Sequence, residues 1–178
     1  MVELAQKGLR MPHVIVIDIQ EKLLPAMAES GILLANCLKF LRIAQILKLP
    51  IHATEQNPIK LGSSITPLRA FFGSPYVKEH FSAAPVLISM LPPQAHLVLL
   101  GIEAHVCVYQ SAKDFLQAGF TVSVLEDCTS SRDTHNKKLA LTDLQNCGAH
   151  IVSTEMVAFE CMQTYTHPNF KTISQIIK

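Results

Sequence analysis

No stretch of this chain runs 18 apolar residues without a break, so no membrane-spanning helix is expected. Charge of either sign is scarce: Lys and Arg number 15, Asp and Glu 14, and charged residues make up 16% of the chain. A formal net charge of +1 argues against nucleic-acid binding driven by gross charge, because phosphate contacts need a clustered basic surface. Only a local basic patch would serve. The five cysteines are Cys37, Cys107, Cys128, Cys147 and Cys161, and they form no CxxC pair and no zinc-knuckle spacing. Their odd number and wide spacing fit reduced thiols in an intracellular protein. The first thirteen residues, MVELAQKGLRMPH, lack the apolar core of a secretory signal. A cytoplasmic protein is expected, and so short and ordinary a start leaves a mitochondrial address open. There is no internal repeat, low-complexity linker or sign of a second domain, so residues 1–178 read as one domain.

What is present is apolar. Hydrophobic residues make up 49% of 178 positions, which argues against disorder. At this size roughly 70% of the extended chain's surface can be buried. Low charge also suggests surface covered by a second subunit, and a homo-oligomer is expected.

The apolar run from Val14 to Ile17 ends on Asp18 and reads as a fully buried strand. Ser30 is placed to cap a helix running to about Lys48, with Leu33, Leu34, Cys37, Leu38, Leu41, Ala44 and Leu47 at helical spacing. IHAT after Pro50 reads as a second strand. Residues 55–75 read as loop with a short helix near 65–71, followed by a short strand ending near Lys78. LVLLG at 97–101 reads as a central strand, 104–118 as a helix ended by Gly119, and TVSVLED at 121–127 as a strand ending in acid. A helix over about 134–146, a strand at 149–153 and a tail helix at 168–177 complete the chain. Alternation of this kind predicts an α/β fold with a parallel sheet covered on both faces. In such a sheet ligands bind beyond the carboxyl ends of the strands. Asp18, the His52–Gln56 stretch, Lys78, the 101–107 segment and Asp127 all fall at predicted strand ends.

Cys107 is predicted in the first turn of its helix, where unpaired N–H groups and the helix dipole favour a thiolate. It is either a nucleophile or a small core residue. Asp18 is either the base beside it or a cap for the following turn. Lys78 either orients Asp18 and helps keep Cys107 ionised, or is a solvated surface lysine. Backbone N–H groups of the 102–107 loop suit a developing oxyanion. His105 is the nearest alternative base in sequence, but helix neighbours two apart diverge, so it reads as a pocket residue. Cys128, Cys147 and Cys161 read as structural thiols. Asp127 reads as a loop anchor, and Arg132 as either a subunit contact or a site for an acidic substrate.

VIVIDIQ, KEHFSA and GIEAHVCV, in this order and spacing, resemble the isochorismatase-like cysteine hydrolase superfamily, closest to its isochorismatase-domain-containing subgroup. The resemblance covers about residues 12–177 and includes IHATEQNP, EDCTSSR and HPNFKTI. It implies a three-layer α/β/α sandwich with a central parallel sheet. It implies an Asp-Lys-Cys triad at Asp18, Lys78 and Cys107, and a non-proline cis peptide at Ile102–Glu103. The oxyanion loop would comprise Ile102, Glu103, Ala104, Val106 and Cys107. Nicotinamidases and carbamoyl-group hydrolases of this family use the cysteine for covalent thioester chemistry, and some isochorismatases have lost it, so its presence here points to hydrolysis of a small amide or related C–N bond. Nicotinamidases carry an Asp/His metal site after the second strand; here that segment reads ATEQNPIKLGS, so no metal and no other cofactor is expected. Gln20, His52, Gln56, Phe81 and His105 are the pocket candidates, with His52 better suited to a satisfied buried histidine than to a metal.

Two other readings stand beside this one. Some relatives in the subgroup carry nuclease labels, which implies ribonuclease-like activity or nucleic-acid association. The sequence offers neither a catalytic histidine pair nor a carboxylate cluster suited to two metals, and it lacks interleaved basic and aromatic residues. The other reading is a non-enzymatic, oligomeric interaction module that retains the fold.

Overall fold

The computed structural model describes residues 11–178. Most of the N-terminal stretch read above for a leader therefore lies outside the described residues. No helix among the described residues is long and apolar enough to cross a membrane.

Six strands form one sheet: β1 (His13–Ile17), β2 (Ile51–Gln56), β3 (Tyr76–Lys78), β4 (His96–Ile102), β5 (Thr121–Ser130) and β6 (His150–Val152). Their order is β3-β2-β1-β4-β5-β6, and every neighbouring pair is parallel. The chain builds outward from β1 in one direction, then returns to place β4 on its other side. The crevice between β1 and β4 is thus the point where strand order reverses, and ligand sites gather at the carboxyl ends there.

Period-two alternation divides the core. Val14, Val16, Val98, Leu100 and Ile102 point to one face and Ile15, Ile17, Leu97 and Leu99 to the other. The first face is covered by α1 (Ser30–Ile46), α2 (Thr154–Met162) and α3 (Phe170–Ile177), through Phe40, Leu41, Val157, Met162 and Ile173. The second is covered by α4 (Ala84–Leu87), α5 (Tyr109–Gln117) and α6 (Thr134–Asn146), through Leu87, Ala112, Phe115 and Leu144. These layers form a three-layer α/β/α sandwich. Strands buried on both faces explain why VIVI and LVLL read as unbroken apolar runs.

Four local expectations are corrected. Ser30 is the first residue of α1, not its cap; Glu29 precedes it in a left-handed conformation with no side-chain cap. The 104–118 helix is two pieces, a wide π-helical turn at Ala104–Val108 and then α5. β5 does not end in acid. Its pairing to β4 steps from Leu99–Val124 to Gly101–Thr129, so Glu126 and Asp127 sit in a bulge and the strand continues to Ser130. Asp127 accepts the Thr154 N–H with both carboxylate oxygens at 3.1 Å, an anchor for the start of α2. That helix has no counterpart in the sequence reading, although Thr154, Val157, Ala158 and Met162 face inward at helical spacing and Ser153 caps it. It is only nine residues long, short enough to pass for a loop.

Candidate functional site

Three segments converge at the β1/β4 reversal. Asp18 follows β1 directly, in a left-handed turn (φ 52°), and its side chain is fully buried. Carboxylate Oδ1 accepts from Thr54 Oγ1 at 2.9 Å, and Oδ2 meets Lys78 Nζ at 2.6 Å. Lys78 ends the edge strand β3, yet it is only 2% exposed. The solvated-lysine alternative is therefore excluded. Its ammonium donates to Gln56 Oε1 at 2.8 Å, Phe81 O at 2.8 Å and His80 O at 3.2 Å.

Cys107 lies in the wide turn after β4 and is 7% exposed. Its thiol faces the Asp18 carboxyl and the backbone N–H of Glu103. The Ile102–Glu103 peptide is cis. Ser111, one helical turn on, donates to the Cys107 carbonyl at 2.6 Å and accepts from Ala83 N at 2.8 Å. It ties the cysteine turn to the segment that follows Lys78. Thr54 and Ser111 are the contacts that the sequence reading missed. Ser111 stands four residues after Cys107, the spacing at which a helical serine bonds back to the chain.

The surroundings of Cys107 oppose the preformed thiolate that its place in the chain suggests. Burial pushes the Cys107 thiol up to about 12, and the Asp18 charge adds to this. Lys78 and the Glu103 N–H pull the other way without prevailing. Burial likewise raises the Asp18 carboxyl above its ordinary range, against the pull of Lys78, Thr54 and Cys107. Burial thus disfavours the charged form of both groups, while the Lys78 ammonium alongside favours charge on each.

Raised thiols set an alkaline limit on stability. Burial raises Cys161 to about 11, and contact with Cys37, then burial, holds Cys128 well above its usual range. Above about pH 9 an unfolded chain loses these protons while the folded chain keeps them, so stability falls as pH rises. Urea midpoints should therefore decline between about pH 9 and 11, and less steeply in Cys161→Ser. Equal slopes in both proteins would refute the assignment for Cys161.

The pocket candidates separate. Gln20 is fully buried; its Oε1 accepts from Gln56 N at 2.8 Å and its Nε2 donates to Gln56 O at 3.1 Å. Gln56 reaches Lys78 directly. Phe81 is 52% exposed and approaches the site through its carbonyl. His105 turns away from Cys107: Nδ1 lies 2.9 Å from Ser131 Oγ and Nε2 lies 3.5 Å from Glu103 Oε2. His52 does not join the group. It pairs in register with Ile15, three residues before Asp18, and stacks on His13 with ring centroids 5.4 Å apart. Of the loop residues, Ile102 and Ala104 are buried and Val106 is half-buried. Arg132 Nε pairs with the Glu103 carboxylate at 3.0 Å, within this chain. A surface crevice of about 500 Å³ lies elsewhere, lined by Glu29, Glu126, Lys137 and Leu141. It contains none of the convergent charges, so the buried cluster, not the larger crevice, is the candidate site.

Known proteins with this architecture place it. The Caenorhabditis elegans MAR1 ribonuclease superposes with a TM-score of 0.86 at 27% identity, over 95% of this chain and 90% of that one. The Escherichia coli YcaC gene product, an octameric hydrolase of unknown specificity, shares the fold alone: TM-score 0.80 at 20% identity, over 93% and 92% of the two chains. Mouse isochorismatase domain-containing protein 2A is 34% identical over 164 residues, 90% of this chain and 80% of that protein. Residues 12–156 match the isochorismatase domain, a span that runs from β1 through Asp18, Lys78 and Cys107 into α2, and the chain belongs to that family.

Proposed function

We propose that this chain is a cysteine hydrolase acting on a small amide or related C–N bond through a covalent intermediate. The observation that carries this reading is the thiol of Cys107 set against a fully buried carboxylate–ammonium pair. Burying two charges is costly, and a purely structural role would be met as well by apolar packing.

The chemistry follows from the protonation states. Asp18 takes the Cys107 proton as the sulfur attacks the carbonyl carbon, so no free thiolate need accumulate. The carbon–sulfur bond forms and the carbonyl electrons move onto oxygen, against backbone N–H groups of the turn at 103–107. Collapse breaks the C–N bond, and the leaving nitrogen takes the proton back from Asp18. Water, deprotonated by Asp18, then cleaves the thioester, releasing a carboxylic acid and restoring the thiol. Lys78 holds charge beside Asp18 throughout.

The test is to incubate the protein with a panel of small primary amides and carbamoyl compounds, quench in acid and weigh the Cys107 peptide. An acyl or carbamoyl adduct on Cys107 that disappears on turnover is expected. The absence of any adduct or turnover across the panel would count against the reading. Likeness to the C. elegans protein named a ribonuclease favours a second one. Cleavage of a labelled RNA that persists in Cys107→Ala would support it and assign that activity to a separate site. We also infer a homo-oligomer, supported by half-exposed Val77 and Phe81 flanking Lys78.

A further inference from the structure

The contacts around Lys78 are oversubscribed. An ammonium has three N–H bonds, and four oxygens surround this one: Gln56 Oε1, Phe81 O, His80 O and Asp18 Oδ2. The first three are neutral and take aligned hydrogen bonds. Asp18 Oδ2 lies nearest, at 2.6 Å, yet it has no aligned hydrogen bond. The carboxylate therefore feels the ammonium's full charge but only a share of its hydrogen bonding, for which three neutral oxygens compete. Of the three neutral acceptors, two are backbone carbonyls of the chain just after Lys78. Gln56 is the one that a substitution can remove.

Gln56 is also held more firmly than a pocket residue requires. Its Nε2 donates to Glu79 O at 2.8 Å, which fixes the amide so that oxygen faces Lys78. Its own N–H and C=O are both taken by the buried amide of Gln20, which further donates to Gly62 O at 2.6 Å. The chain of contacts runs Gln20, Gln56, Lys78, Asp18, Cys107.

We propose that Gln56 is a positioning residue: it competes with Asp18 for the N–H bonds of Lys78, and so keeps the carboxylate basic enough to receive the Cys107 proton. This inference rests on the function proposed above and deepens it. Without the Gln56 oxygen, one Nζ–H is released and turns onto Oδ2. The Lys78–Asp18 hydrogen bond strengthens, and the carboxylate becomes a weaker base.

Iodoacetamide tests this without a substrate. Proton transfer from sulfur to Oδ2 breaks S–H and forms O–H, the thiolate displaces iodide, and an S–C bond forms. Because the proton moves within the pair, this route is independent of pH across the neutral range, and a second limb rises at alkaline pH where the thiol ionises directly. The rate of Cys107 carbamidomethylation, read by peptide mass spectrometry, should show both parts in the wild type. Asp18→Asn should abolish the neutral plateau. Gln56→Leu should lower the plateau about tenfold, the effect of one unit of carboxylate basicity, and leave the alkaline limb in place. Gln56→Glu restores an acceptor to Lys78 while losing the bond to Glu79, so its plateau should equal or exceed that of the wild type. A merely structural role would lower the plateau in both Gln56 variants, or lower both limbs together, and either result overturns the proposal. So does a Gln56→Leu plateau at the wild-type level. A wild type with no plateau, or one that survives in Asp18→Asn, refutes the proposed triad itself and is distinguishable from failure at Gln56 alone. Should Gln56→Leu fail to fold, the Gln56→Glu plateau still decides: a fall overturns the proposal, and a level at or above the wild type upholds it.

Discussion

Cys107→Ser should lower kcat/KM for the trapped amide at least ~10³-fold, with Cys107→Ala equally inactive. The substitution exchanges one sulfur for oxygen in a packed turn, so the fold should persist and the melting temperature should move little. The chemistry does not persist. A serine hydroxyl releases its proton far less readily than a thiol, and Asp18 is only a carboxylate with its basicity raised by burial. Lys78 does not offset that difference, since burial outweighs its pull even on the thiol. Asp18→Asn should cost about 10²–10⁴-fold, the usual worth of a general base, and its pH dependence should follow direct thiol ionisation. The measurement is steady-state turnover for all three variants, with urea melts to certify folding. Turnover that survives in Cys107→Ala would remove the nucleophile from the mechanism and move the interaction-module and separate-nuclease readings ahead.

Gly101→Ala should destabilise the protein by about 2–6 kcal/mol, the sum of a strained backbone and an overpacked contact. Gly101 lies in the central strand β4 at φ +145°, and a Cβ there would fall on the carbonyl of Ile17. The neighbour cannot give way, because Ile17 and Thr129 hold the position in register from both sides. The same residue precedes the Ile102–Glu103 peptide and the Cys107 turn. Any shift that relieves the clash therefore displaces the nucleophile from Asp18. A drop in the urea midpoint, together with a loss of neutral-pH alkylation at Cys107, is the expected pair of results. An unchanged midpoint would mean that β1 and β4 can separate at no cost, contrary to the packing described.

Much of this molecule was legible in its sequence because burial on both sheet faces leaves a plain mark. VIVI before Asp18 and LVLLG before the cysteine turn carry no alternation, as strands buried on both faces do. Strand order along the chain placed Asp18, Lys78 and Cys107 at carboxyl ends, and their motifs carried the family resemblance. Short or irregular elements were not legible. The bulge at 125–128 arises from pairing with β4, and α2 owes its start to Asp127, 27 positions earlier. His52 shows the converse: it lies in the motif-bearing strand, but three residues too early in register to reach the site.

By itself the sequence determined the layered α/β architecture, the family and the three residues whose chemistry is at stake, because these follow from local periodicity and from motifs. The tertiary structure alone decided how those residues are charged and held. Whether Cys107 favours thiol or thiolate depends on its burial and on Asp18 and Lys78, which other segments bring to it. How basic Asp18 is depends on how the three N–H bonds of Lys78 are shared among four oxygens. Those are properties of distances across the fold, and Gln56, which directs one of those bonds, acts from the end of a different strand.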